Sequence, residues 1–172
     1  MNTVFRHHVT HTKTDLTLIA QREKAGETEL KAVLFGIHEK YSGEKVPVLN
    51  DAQLERYAEQ LRLFLDGKIH TLGEIALCFE GYSAFQKSVL VAARKISWGT
   101  TVSYKKLAAM SGNTGAVRAV ASVMRNNPFP LIIPCHRVIK SDGTIGGFAG
   151  QKDGAMVMLK KTLLEQEGIW LV

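Results

Sequence analysis

The chain is 172 residues long, enough for one large domain or two small ones, and 45% of its residues are hydrophobic, so it can bury a core. Its 22 Lys and Arg against 16 Asp and Glu leave a formal charge of +6, which fits a polyanionic partner such as nucleic acid without identifying one. Two cysteines in no zinc-binding spacing exclude a disulfide scaffold, and the lack of a signal-like start or of any run of about eighteen apolar residues excludes a spanning helix, so an intracellular, soluble protein is expected.

Residues 1–13 are polar and carry His7, His8 and His11 with no Cys or carboxylate close in sequence, which reads as a solvated start that binds no metal. Two short apolar runs, residues 16–20 and 31–37, flank a polar, Gly-containing stretch and predict two strands joined by a turn. Over residues 51–66, Leu54, Tyr57, Ala58, Leu61 and Leu65 fall at helical spacing, with Asn50 or Asp51 as N-cap and Gly67 as the stop. Residues 75–79 predict a further strand, on which Cys78 is a small buried apolar residue.

Glu80-Gly81-Tyr82-Ser83 breaks this pattern, and the expected domains are 1–81 and 82–172. Ser83 is placed to cap a helix whose Phe85, Val89, Ala92 and Ile96 share a face. Ser103 caps residues 104–110, Ser111-Gly112-Asn113 turns, and Thr114 opens a second helix to about Arg125. This spacing fits a helix-turn-helix and equally an ordinary helical hairpin with alanines at its seam. Residues 131–133 predict a buried strand leading into Pro134-Cys135-His136-Arg137-Val138-Ile139. Ser141-Asp142-Gly143 then turns the chain and residues 144–148 return beside it as a short wing. Glycines 143, 146, 147 and 150 leave a loop that a planar ligand can approach closely. In the last helix Met156, Leu159 and Leu163 form the buried stripe, and Gly168 marks the exit.

Cys135 is the sharpest chemical candidate, because a neighbouring imidazole and guanidinium favour the thiolate that nucleophilic attack needs. On an extended chain His136 points away from the sulfur and reaches it through a turn or a bridging water. Glu167 sits at the helix end where the dipole disfavours a carboxylate, which a partner such as His136 rationalises. On these residues alone, a buried structural cysteine and a solvated glutamate stand beside that reading.

Ile133-Pro134-Cys135-His136-Arg137-Val138-Ile139 resembles the active-site motif of the O6-alkylguanine-DNA alkyltransferases, also called methylated-DNA–protein-cysteine methyltransferases. Phe85-Gln86, Val102-Ser103-Tyr104, Leu107-Ala108-Ala109, Arg118-Ala119-Val120, Asn127-Pro128, Gly147-Phe148-Ala149-Gly150 and Leu163-Leu164-Glu165-Gln166-Glu167-Gly168 follow the family's order, so the resemblance spans residues 82–168. It implies an α/β (α+β) two-domain fold. The N-terminal domain would be a small β-sheet with helices, ribonuclease H-like in the family; the C-terminal one a mostly helical winged helix-turn-helix that binds DNA and carries the alkyl acceptor.

The implied activity is DNA repair by direct reversal: a stoichiometric, irreversible transfer of a methyl or larger alkyl group from O6-alkylguanine, and O4-alkylthymine, in duplex DNA to Cys135 after base flipping. The implied protein is a single-turnover enzyme, a monomer without cofactor or metal, in the nucleoid or cytoplasm of a prokaryote or the nucleus of a eukaryote. The catalytic set carried over is Cys135 as acceptor, His136 as water-mediated base, Glu167 orienting it, Asn127 fixing the network, and Tyr104 bonding the departing guanine at N3. Substrate contacts fall to Tyr104, the carbonyls of Cys135 and Val138, the Ala149 N–H toward O6, and Gly150. DNA contacts fall to Arg118, which fills the vacated stack, and to Ala119, Ser122, Thr114, Arg125, Lys105 and Lys106.

This sequence departs from the family at Thr114-Gly115, where Pro and a basic residue are common, at Ala149, where Ser is commoner, and in a longer stretch over residues 151–158. The rival readings are a damage sensor of the alkyltransferase-like type, which lacks the acceptor cysteine, a winged-helix transcription factor, which gives Pro-Cys-His-Arg no purpose, and a cysteine hydrolase, which needs an oxyanion hole.

Overall fold

The computed structural model describes residues 3–22, 27–36, 48 and 51–171, mixed α and β. The chain divides into two compact units, Met1–Glu80 and Gly81–Val172. Among the described residues no helix is long and apolar enough to cross a membrane.

In the first unit β1 (Thr3–Val9), β2 (Leu16–Arg22) and β3 (Thr28–Phe35) form an antiparallel sheet in chain order. The central β2 is buried on both faces, from Leu16 through Gln21. The two strands expected at 16–20 and 31–37 are present with shifted ends; Ile37 and Asn50 lie outside the described residues.

The polar start does not read true: it is β1, paired along its whole length with β2. His7 is buried and meets Glu55 at 3.3 Å, His8 Nδ1 lies 3.0 Å from the Thr17 hydroxyl, and His11 Nε2 lies 2.9 Å from Asp66. Cross-strand pairing and carboxylates distant in sequence replace solvent at His7 and His11, while His8 stays exposed as composition implies.

α1 (Ala52–Leu65) starts at Asp51, whose side chain accepts from the Gln53 and Leu54 amides. It ends in a Schellman motif: Gly67 takes φ +74°, its N–H donates to Phe64 O and that of Lys68 to Leu63 O. Leu54, Tyr57, Ala58, Leu61, Phe64 and Leu65 face inward. The strand expected over 75–79 shrinks to one parallel bridge, Leu30 with Leu77, held by Leu30 N–H to Ala76 O (3.0 Å) and Cys78 N–H to Leu30 O (2.8 Å). Cys78 is buried and its sulfur accepts from Gln21 Nε2 at 2.9 Å.

In the second unit α2 (Ala84–Arg94) opens with a capping box: Ser83 Oγ accepts the Gln86 amide and Gln86 Oε1 accepts the Ser83 amide. After β4 (Val102–Ser103), Ser103 caps α3 (Tyr104–Met110), and α4 (Val117–Arg125) follows. α2, α3 and α4 pack on one another around Val89, Leu90, Leu107, Ala108, Val120 and Met124.

α4 begins at Val117 rather than Thr114. The Ala116 amide donates to Asn113 O and closes a turn, Gly115 disfavours helix, and Thr114 is left exposed without capping anything. Residues 131–133 are buried but form no strand. Bracketed by Pro130 and Pro134, they turn, with Leu131 at φ +71° and Ile133 N–H on Phe129 O at 2.8 Å. Cys135–Arg137 is a single 3-10 turn, and only then does β5 (Val138–Ile139) extend, pairing parallel with β4.

The expected returning wing is also not a strand: Lys140 N–H bonds Thr144 O, and the remainder is a tight turn in which Phe148 and Gln151 exchange both backbone bonds around Ala149 (φ +46°) and Gly150 (φ +83°). α5 (Ala155–Gln166) buries Leu159, Lys160, Leu163 and Leu164, leaves Met156 half-buried, and exits at Gly168 with φ +79°.

The Ser83 box satisfies two amides at the start of the helix that carries Val89 and Leu90 into the core. Ser83→Ala is therefore expected to lower stability by about 1 kcal/mol in urea or thermal unfolding, with Gln86→Ala costing less.

Candidate active site

The 3-10 turn after Pro134 aims three consecutive side chains of β5's lead-in into the unit, and Cys135, His136 and Arg137 are all buried. The turn, and not an extended segment, allows neighbours in sequence to serve one site. His136 Nε2 donates to Glu167 Oε1 at 2.9 Å. Glu167 is the residue after α5, and its carboxylate also takes Arg137 Nε (3.0 and 2.9 Å to its two oxygens), Arg137 Nη2 (2.9 Å) and the Gly99 amide (3.1 Å). Arg137 Nη1 donates to Ile96 O at 2.6 Å, and its guanidinium lies 5.8 Å from the Trp98 ring centroid.

Burial pushes the Glu167 carboxyl up, but hydrogen bonds from His136 and Arg137 outweigh it and hold the group below the ordinary glutamate range. Burial pushes His136 below the ordinary imidazole range against the pull of Glu167, so the ring is neutral. With Nε2–H committed to a carboxylate, Nδ1 is the basic nitrogen.

The thiol differs from expectation. Burial drives the Cys135 pKa up; a hydrogen bond from Asn127 and the charge of Lys160 act the other way without offsetting it. The imidazole and guanidinium next in sequence do not make it a resting thiolate, because one is neutral and the other is engaged by Glu167. Asn127 also donates to Ile133 O (2.9 Å) and accepts from the Phe129 amide (3.0 Å), tying the end of α4 to the turn that presents the cysteine.

A cavity of about 230 Å³ reaches Cys135. Its wall is Tyr104, Ala121, Met124 and Arg125 from α3 and α4, with Lys140 and residues 146–152 of the glycine-rich loop. Tyr104 is half-buried at the first turn of α3, and burial followed by the charge of Cys135 raises its phenol. The cavity therefore gathers Tyr104, Cys135, Arg125, Ala149 and Gly150. It does not include Val138, which is fully buried behind it, nor His136, Asn127 or Glu167, which support the sulfur from within.

Arg118, Ala119, Ser122 and Arg125 stand exposed on α4, opposite its buried Val120 and Met124; Lys105, Lys106 and Thr114 are exposed nearby in sequence but off the cavity wall. Among the described residues no cluster of three His, Cys, Asp or Glu side chains offers a metal site.

Lys160 is the residue that sequence reasoning missed. Its side chain is fully buried, and Nζ donates to Val138 O (2.7 Å) and Gly147 O (3.3 Å), strapping the glycine-rich loop to β5. Burial lowers its pKa to about 8, with Cys135 pulling the other way. The signal was available: Lys160 shares its helical face with Met156, Leu163, Leu164 and, two turns on, Glu167. Because the folded lysine releases its proton near pH 8 and the unfolded one near 10.5, unfolding takes up a proton between these values, and raising the pH through that window favours the folded state. Wild-type protein is thus expected to gain stability relative to Lys160→Met from pH 8 to 10.5, on the order of 3 kcal/mol, in denaturant titrations.

A thiol at the foot of a cavity, a neutral histidine and a carboxylate behind it, and a helix bearing two arginines beside it now have counterparts. Residues 84–169 match the family model of the 6-O-methylguanine DNA methyltransferase DNA-binding domain. The methylated-DNA–protein-cysteine methyltransferase of Methanothermobacter thermautotrophicus is 40% identical over 132 residues, 77% of this chain and 69% of that protein. The mouse protein of the same name is 47% identical over 87 residues, 50% of this chain but only 39% of its own length. The crystal structure of Mycobacterium tuberculosis OGT in complex with DNA superposes with a TM-score of 0.76 at 26% identity, over 95% of this chain and 92% of that one. Across motif, cavity and fold alike, the chain belongs to the methylated-DNA–protein-cysteine methyltransferase family.

Proposed function

We propose that this protein repairs duplex DNA by taking the alkyl group of an O6-alkylguanine onto Cys135, once per molecule. The observation that carries the reading is a cysteine at the wall of a cavity of about 230 Å³ with the buried His136–Glu167 pair behind it. In the reaction the S–C bond forms as the C–O6 bond breaks, and the electron pair returns to the purine. Proton balance is met when the thiol proton, taken by His136, ends on the purine ring. The raised thiol pKa makes that base necessary. Glu167 keeps Nε2 protonated and leaves Nδ1 to act, Asn127 holds the sulfur's surroundings, and Tyr104 donates toward N3 as charge develops on the leaving guanine. Lys160, beneath the cavity, supplies the positive charge that steadies the anionic sulfur on its way to the thioether. No thiol is regenerated, so the protein is a reagent as well as a catalyst.

A stacked base hides its O6, so the lesion must leave the helix at a cost of a few kcal/mol. The C-terminal domain, residues 82–172 of the second unit, acts here as a winged helix-turn-helix module with the loop after β5 in the place of the wing, and the N-terminal sheet is of the ribonuclease H-like kind. Small Ala119 and Ser122 let α4 approach a minor groove, Arg118 fills the gap, and Arg125, Lys105 and Thr114 contact phosphates. Ala149 and Gly150 present the loop backbone to O6, and the exocyclic amine bonds the Cys135 carbonyl and, behind the cavity wall, the lone pair of Val138 O that Lys160 leaves over.

Incubation with duplex containing O6-methylguanine should add one methyl to the Cys135 peptide, found by mass, and Cys135→Ala should add none while still binding the lesion. An unmodified wild-type protein that binds the lesion equally well would make it a sensor instead. Arg118→Ala should slow repair of duplex by about tenfold or more yet leave alkylation by free O6-benzylguanine near wild type, since a free base needs no flipping. Equal slowing of both would remove Arg118 from that role.

A further inference from the structure

The carboxylate that orients His136 is gripped from outside the Cys135 motif. Residues 96–99, the turn after α2, meet the carboxylate once and its Arg137 partner twice: the Gly99 amide donates to Glu167 Oε2 at 3.1 Å, Ile96 O receives Arg137 Nη1 at 2.6 Å, and the Trp98 ring centroid stands 5.8 Å from the Arg137 guanidinium carbon. Gly99 takes φ +71°, the left-handed conformation in which its amide points at the carboxylate. A turn of this kind does not itself require an indole at position 98. What the indole adds is a flat, electron-rich face for a guanidinium that must present both Nε and Nη2 to one carboxylate.

We infer that Trp98 is a positioning residue for the transfer proposed above, acting through Arg137 and Glu167 to hold the His136 ring in one orientation and one tautomer. The inference rests on that reading of Cys135. Ile96 O restrains the guanidinium within its plane, and the ring restrains it across its face. Without the ring the plane can tilt, one oxygen of Glu167 loses its second donor, and the carboxylate turns away from Nε2. His136 sits directly on that carboxylate, so the loss passes to the nitrogen that must accept the thiol proton.

The test compares Trp98→Phe, which keeps an aromatic face, with Trp98→Leu, which keeps apolar bulk without one. Two readouts are taken: the single-turnover rate of alkylation by free O6-benzylguanine from pH 6 to 9, and the nitrogen-15 shifts of the His136 ring. Trp98→Leu is expected to react about three- to tenfold more slowly and to show His136 as a mixture of tautomers, while Trp98→Phe stays near wild type in both. A Trp98→Leu protein with wild-type rate and a single tautomer would overturn the assignment, and so would equal losses in both variants, which would reduce Trp98 to packing. If the wild type itself failed to react while Trp98→Leu still disturbed the His136 tautomer, the transfer reading would fall and the link from Trp98 to the imidazole would stand.

Discussion

The Glu167 carboxylate is the node on which the second unit's chemistry turns. It is a buried anion at the C-terminal end of a helix, where the backbone dipole opposes it, so it persists only because donors surround it. Those donors come from separate parts of the chain: Arg137 and His136 from the turn after Pro134, and the Gly99 amide from the turn after α2. The same contact that neutralises the carboxylate closes α5 onto the body of the unit and sets the imidazole. Folding and the geometry of the candidate site are thus one constraint, and a buried pair broken on one side leaves an uncompensated charge behind.

The cationic groups around Cys135 divide the labour in a way adjacency in sequence conceals. Arg137 is spent on Glu167, His136 is kept neutral, the form the proposed transfer asks of a base, and the charge that reaches the sulfur is that of Lys160, twenty-five residues further along the chain. Burial favours the protonated thiol at rest, so in the proposed transfer nucleophilicity would come with proton removal rather than being held ready. Lys160 also straps Gly147 to β5, so the shape of the cavity and its electrostatics hang on one side chain.

The features legible in the sequence were those fixed by neighbours. Asp51, Ser83 and Ser103 cap their helices because a cap is decided within a few residues, and Gly67 stops α1 for the same reason. The motif around Cys135 was legible because its residue types are few and its order is unusual, and Glu167 was legible as a carboxylate at the wrong end of a helix. What escaped was set at a distance. β1 looks polar because its histidines find partners on β2 and α1. Residues 131–133 look like a strand because an apolar run reports burial and not backbone shape; two flanking prolines bent it instead. Lys160 was hidden because a charge on an apolar stripe resembles a break in the pattern, and residues 96–99 because a turn has no period to read. The return over 144–148 meets the end of β5 at a single backbone bond, because the glycines beyond it made a tighter turn available.

One position in the glycine-rich loop bears on how such a cavity can diverge. A Cβ at Gly147 would come within 2.5 Å of the Gln151 carbonyl, which is backbone and cannot yield, whereas at Gly150 nothing lies within 4 Å although the left-handed backbone resists a side chain. Any side chain at 147 would unfasten the turn that forms the wall. Descendants of this chain can therefore reshape the cavity wall at residue 149 or by lengthening the segment beyond 150, while 147 stays fixed.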